Sequence, residues 1–221
     1  MPKIDGEDVL CVAMTDTETV CTNVVGDKEE KRFTFDYSFW SHDGYSTRDD
    51  GYTEADGDSG YKDQAYVFEK IGVDVLDNAF RGFHTCLFAY GQTGSGKSHS
   101  MIGYGANRGI VPMATDEIFK RIDANTDPDT TYEVRCMMCE IYNEKVQDLM
   151  IPVNKRPTNG LKIRESKALG IFVDGLSKHA VTSYDEISAV MATGESHRSK
   201  GATLMNAESS RAHTVIQIEF K

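Results

Sequence analysis

The chain has 221 residues, enough for one α/β domain or a large part of a bigger one, and its 39% hydrophobic share can fill a core. A formal net charge of -11 argues against a nucleic-acid surface, which needs a basic face, and no apolar run reaches bilayer-spanning length. Five cysteines, an odd number with no signal peptide, read as reduced thiols of a cytoplasmic protein.

Val9 to Val12 and Thr19 to Val25 are expected as short strands around a polar turn. Lys31 to Tyr37 alternates polar residues with Phe33, Phe35 and Tyr37, the pattern of a half-buried strand. Asp43 to Gly60 is acidic, glycine-rich and aperiodic, which predicts a solvated surface loop. Between Tyr61 and Phe80, Val67, Phe68, Ile71, Val75 and Ala79 share one helical stripe, with Gly82 as a stop. The continuous apolar run Cys86 to Tyr90 is expected as a buried parallel strand.

Gly91-Gln92-Thr93-Gly94-Ser95-Gly96-Lys97-Ser98 comes next and fits G-x-x-x-x-G-K-[ST]. Glycines at 91, 94 and 96 let the backbone turn so that successive N–H groups face one concavity. A helix opening near Lys97 aims its positive end at the same place. Lys97 then reaches terminal phosphates, and the Ser98 hydroxyl can ligate Mg²⁺. With a strand expected before it and a helix after it, the pattern points to a nucleotide phosphate site.

Gly103 to Gly109 reads as a polar turn, and Val111-Pro112 as the start of a helix carrying Met113, Ile118, Phe119 and Ile122, ending before Asp127-Pro128. Tyr132 to Tyr142 is strand-like and Asn143 to Leu149 a short helical turn. Cys136 and Cys139 have C-x-x-C spacing, but a strand points them to opposite faces and no second pair completes a zinc site, so buried structural thiols are expected. Ile151 to Gly160 reads as a loop, and Leu161 to Arg164 with Ile171 to Val173 as a hairpin. Ser183 to Glu186 has capping-box form before a helix with Ile187, Val190 and Met191. After the polar stretch Gly194 to Glu208, Thr214 to Phe220 alternates as a final strand. Interleaved strands and helices predict an α/β fold: a mostly parallel central sheet flanked by helices.

Asn206-Ala207-Glu208-Ser209-Ser210-Arg211-Ala212-His213 places two hydroxyls, an amide and an arginine just before that strand. Such groups suit a segment that closes over a γ-phosphate, whereas composition alone favours a solvated serine-rich loop. Here a family resemblance enters. Phe88 to Gly103 (FAYGQTGSGKSHSMIG) resembles the phosphate loop of kinesin motor domains, and Asn206 to His213 resembles their first switch, N-x-x-S-S-R-S-H. FTFDYSFW (Phe33 to Trp40), GIVP (Gly109 to Pro112), EIYNEKVQDL (Glu140 to Leu149) and VDGLSKHAVTSYDEI (Val173 to Ile187) stand in the family's order. The run from Trp40 to Gly44 is most similar to the organelle-transporting subfamily.

The resemblance implies a P-loop NTPase fold and a microtubule-stimulated ATPase motor that uses ATP and Mg²⁺, associated with the cytoskeleton. Gly91, Gln92, Thr93, Gly94, Ser95, Gly96, Lys97 and Ser98 would hold the phosphates, and His99 would lie beside the adenine. Ser98 and Ser210 would ligate the metal. Ser209 would sit near the γ-phosphate and its attacking water, Asn206 would support that segment, and Arg211 would pair with a glutamate of the second switch. Lys155, Arg156, Lys162, Arg164 and Lys167 match a loop and hairpin that reach toward tubulin. A basic patch on an acidic chain suits an acidic filament, and charge alone fits a solvated hairpin as well.

Residues 1–221 are expected to be a partial motor domain. The family's second switch (D-x-x-G-x-E), main microtubule-binding helices and neck linker have no counterpart here, nor does the adenine-flanking R-x-R-P, and Ala212 stands where the family has serine. A non-catalytic nucleotide-binding or interaction module derived from a kinesin is therefore the competing expectation. A GTPase is disfavoured, since Asn154-Lys155-Arg156-Pro157 lacks the aspartate of N-K-x-D. Neither membrane insertion nor nucleic-acid binding is expected, and the cargo is not encoded in these residues.

Overall fold

The structure, a computed structural model, describes residues 3–4, 7–25, 27–167, 170–198 and 212–221. It divides into two compact units, Met1–Ala89 with Ser98–Ile110 and Tyr90–Lys97 with Val111–Lys221.

The second unit is built on the strand Val134–Tyr142, which pairs antiparallel with Lys145–Asp148, His179–Val181 and His213–Phe220. Residues Cys136 to Glu140 are buried without a break, so both faces of this strand are covered. The helix Tyr184–His197 lies against it, with Ile187 fully enclosed. Its Gly194 sits over Met138, where an added Cβ would meet the Met138 sulfur and force that side chain to shift. Ser183 caps the helix as expected, accepting from the Glu186 N–H at 3.3 Å. The Glu186 carboxylate reaches back to the Thr182 N–H at 2.6 Å, one residue earlier than the reciprocal bond of a capping box. The helix Ile110–Asp123 starts and stops close to its expected bounds, and the paired strands Lys162–Ser166 and Gly170–Asp174 form the expected hairpin.

Asn143 to Leu149 is not the expected helical turn. Asn143 and Glu144 have φ of 49° and 61°, the positive pair of a tight two-residue hairpin turn, and Lys145–Asp148 folds back as a strand. The buried Asp148 closes this region: its Oδ1 accepts from the Met150 N–H at 2.8 Å and its Oδ2 from the Ser177 N–H at 2.9 Å. Cys136 and Cys139 are buried free thiols, as expected.

In the first unit, Val12–Met14, Glu18–Thr22 and Glu30–Thr34 form an antiparallel three-stranded sheet. Phe33 remains 47% exposed, so this strand is less covered than its alternation implies. The expected helix after Tyr61 runs as α-helix Gln64–Val67, a π-turn Phe68–Gly72 and α-helix Val73–Phe80. A π-turn takes an extra residue per hydrogen bond and rotates the helix beyond it. Leu76, off the expected stripe, is accordingly the buried apolar residue of the last segment.

Asp43 to Gly60 is likewise more ordered than expected. Tyr45–Thr47 and Thr53–Ala55 pair as a hairpin, and Asn107 clamps it, accepting from the Thr53 N–H at 2.8 Å and donating to the Gly51 carbonyl at 2.9 Å. Burial, then the neighbouring Asp63 carboxylate, pushes the Tyr52 phenol up to about 12.

The mostly parallel sheet is not met among the described residues. Every ladder there is antiparallel, and the parallel pairing is a single bridge, Trp40 to Tyr61. Cys86 to Tyr90, expected to supply parallel pairing, joins no ladder, and Phe88 and Tyr90 are 81% and 96% exposed. An apolar run carries a tendency toward burial, whereas burial itself requires neighbouring strands to close over it.

Candidate nucleotide site

Gly94 and Gly96 have φ of 82° and 86°, a left-handed backbone that side-chain-bearing residues rarely adopt, and this coils the 91–97 segment tightly. The Ser95 N–H closes a turn onto the Gln92 carbonyl at 3.2 Å. The half-buried Lys97 folds its ammonium back over the loop, donating to the carbonyl oxygens of Gly91 at 2.8 Å and Gln92 at 2.7 Å. One fixed positive charge thus stands at a loop whose backbone is free of side-chain cover at two glycines. Such a loop is suited to a polyphosphate, with Lys97 exchanging carbonyl partners for phosphate oxygens. The expected helix is present as Lys97–Met101 and carries Ser98 and His99, both exposed.

The sequence reading missed Gln64. Its side-chain nitrogen donates to the His99 carbonyl and lies 3.2 Å from His99 Nδ1. A glutamine at a helix N-terminus carries no sequence signal for this contact.

Asn206, Ser209, Ser210 and Arg211 lie outside the described residues. Of the five cations expected to reach a filament, Lys155, Lys162 and Lys167 are exposed, and Arg164 pairs with Asp174 at 2.6 Å on the hairpin surface. Arg156 departs from that expectation. It is half-buried and turned inward onto the carbonyls of Ile151 and His197. Burial pulls its guanidinium down, with Glu140 and Asp148 opposing that shift. Backbone acceptors inside the unit outcompete the surface for this planar donor.

Residues 4–221 match the family model described as the kinesin motor domain. This chain belongs to the kinesin motor-domain family. It is 44% identical over 195 residues to kinesin-related protein 1 of Dictyostelium discoideum, covering 87% of this chain and 8% of that protein. It is 44% identical over 191 residues to kinesin-like protein KIF13A of Homo sapiens, covering 86% of this chain and 10% of that protein. A solved KIF14 motor with ADP, in complex with a microtubule, superposes with a TM-score of 0.80 at 34% identity, covering 95% of this chain and 55% of that one. A fast kinesin gives a TM-score of 0.74 at 29% identity, covering 95% and 53%. The fold is therefore the kinesin type of P-loop NTPase. The chain spans about a tenth of the length of these two curated kinesins and about half of the solved motors.

Proposed function

We propose that this kinesin chain is the nucleotide-binding part of an ATP-driven microtubule motor, a partial motor domain over residues 1–221. The observation that carries the reading is the glycine-turned loop with the Lys97 ammonium folded onto the Gly91 and Gln92 carbonyls. Support comes also from the KIF14 motor, which was solved with ADP and with AMP-PNP in complex with a microtubule. In this reading residues 91–98 cradle the phosphates of ATP or ADP, and His99 neighbours the adenine. Ser209 lies by the γ-phosphate and the attacking water, Asn206 supports it, and Arg211 holds a carboxylate. Charge at the transferring phosphoryl group is stabilised by positioned donors, of which Lys97 is the first.

Exposed Ser98 offers a hard hydroxyl oxygen next to Lys97, a donor type that fits Mg²⁺, and Ser210 is the second proposed ligand. When bound, the metal would neutralise phosphate charge. The exposed cations Lys155, Lys162 and Lys167, together with Arg164, form the proposed tubulin-facing patch, with Arg156 bracing it from beneath. The protein would act at cytoplasmic microtubules.

ATP turnover with and without microtubules, beside Lys97→Ala, tests the reading. Microtubule-stimulated turnover lost in Lys97→Ala supports the motor. Nucleotide binding without turnover replaces it with a non-catalytic module, and failure to bind nucleotide rejects both.

A further inference from the structure

Gln64 is 6% exposed, at the start of the helix capped by Asp63. A side chain with both a donor and an acceptor end is seldom buried this deeply unless its groups are used. Its Nε2 lies 2.5 Å from the His99 carbonyl oxygen and 3.2 Å from His99 Nδ1. A carbonyl only accepts, so the end of the amide facing His99 is the NH₂ group. Nδ1, beside the same nitrogen, is then an acceptor too, and the proton of the neutral imidazole sits on Nε2. One amide nitrogen thus holds both the backbone and the ring of His99. The His99 residue is otherwise exposed, with the Tyr104 ring 6.2 Å away at 39°.

We propose that Gln64 is a positioning residue for recognition of the nucleotide base. By holding His99 in one orientation and one tautomer, it presents a pre-set imidazole face and an Nε2–H donor to a bound purine. The proposal rests on the reading of His99 as the neighbour of the base. An imidazole free to turn about its two torsions must surrender that freedom when a ligand binds, whereas a held ring has already done so. The benefit is confined to the base, because the phosphates are gripped by the 91–97 backbone and Lys97.

Gln64→Met keeps the volume of the side chain and removes its donors. Titration calorimetry of the full chain with ADP and Mg²⁺, and separately with inorganic tripolyphosphate and Mg²⁺, reads the effect. ADP affinity is expected to fall about three- to tenfold, the scale of one or two hydrogen-bond-sized increments, with tripolyphosphate affinity unchanged. In a His99→Ala background Gln64→Met should add no further loss, because it acts through His99. Nitrogen NMR of the unmodified chain should show the His99 proton on Nε2 and the signal of an unprotonated Nδ1, and Gln64→Met should release this preference. Equal losses for ADP and tripolyphosphate, a full Gln64→Met effect without His99, or a ring protonated on Nδ1 would overturn the proposal. An unmodified chain that binds neither ligand overturns the nucleotide reading and the base role with it. In that case an NMR spectrum still showing the Nε2 tautomer separates failure of the site from failure of the Gln64 contact.

Discussion

Arg156 donates from Nη2 to the carbonyl oxygen of His197 at 2.6 Å, joining the loop before the basic hairpin to the end of the helix Tyr184–His197. Its Nε simultaneously serves the Ile151 carbonyl at 2.8 Å, and His197 Nδ1 lies 3.0 Å from the Leu149 carbonyl. The last carbonyls of a helix have no partner within it, so outside donors set where the helix ends. Arg156→Ala is expected to lower unfolding stability by about 2 kcal/mol, and Arg156→Lys to recover only part of it, because an ammonium lacks the planar fork. Urea unfolding measures this. An Arg156→Ala midpoint equal to that of the unmodified chain would leave Arg156 as an ordinary surface cation.

Asp148 gives a second test, because each of its oxygens accepts a backbone N–H. Asparagine has nearly the same shape but presents NH₂ in place of one oxygen, setting a donor against a donor. Asp148→Asn is expected to destabilise by about 1–3 kcal/mol, the cost of leaving one buried N–H unserved. Hydrogen exchange should locate the loss at the Met150 or Ser177 amide, and unchanged protection at both would contradict the geometry.

Alkaline pH should weaken the second unit. Burial pushes the Cys136 and Cys139 thiols from 9.0 up to about 11. Both states keep these protons below pH 9, so the full stability contribution is present there. Between about pH 9 and 11 the unfolded chain releases them first, and stability falls as pH rises. The urea midpoint should therefore drop across that window, and less steeply in a Cys136→Ala, Cys139→Ala variant. A thiol reagent at neutral pH should modify the exposed Cys86 quickly and these two only on unfolding.

Asn107→Ala should release the Tyr45–Ala55 hairpin without unfolding its unit. Its side chain supplies one acceptor and one donor to that hairpin, at Thr53 and Gly51. Faster exchange of the Thr53 amide and earlier proteolytic cleavage near Gly51 are expected, with global stability lowered by no more than about 1 kcal/mol. Full protection at Thr53 in the variant would rule the clamp out.

The glycine-turned loop at 91–97 was legible in the sequence because its geometry is written as contiguous spacing: glycines at the turning points, then Lys97. The helices were legible through capping at Ser183 and the proline at 112. The features that escaped the sequence depend on relations between distant residues or on local backbone geometry. The positive φ of Asn143 and Glu144 replaced a helical turn with a hairpin, and the π-turn at Phe68–Gly72 moved Leu76 into the interior. The Asp43 to Gly60 segment looked solvated because Asn107, which fastens it, lies 54 positions from Thr53 in the chain. Arg156 looked like a surface cation because charge counting cannot reveal that two carbonyls await it from within. The run Cys86 to Tyr90 shows the converse, an apolar signal without a ladder.

The strand Val134–Tyr142 has one partner joined by a two-residue turn and another, His213–Phe220, far along the chain. During synthesis the first pair can zip within microseconds, long before the ribosome has released the second. For that interval one side of the strand, carrying Cys136, Met137 and Met138, is an unoccupied template. A neighbouring nascent chain offers the same His213–Phe220 segment, in competition with the chain's own tethered one. The sheet's centre is thus also a place where two copies emerging together can exchange strands, and slow translation beyond the hairpin would lengthen the exposure.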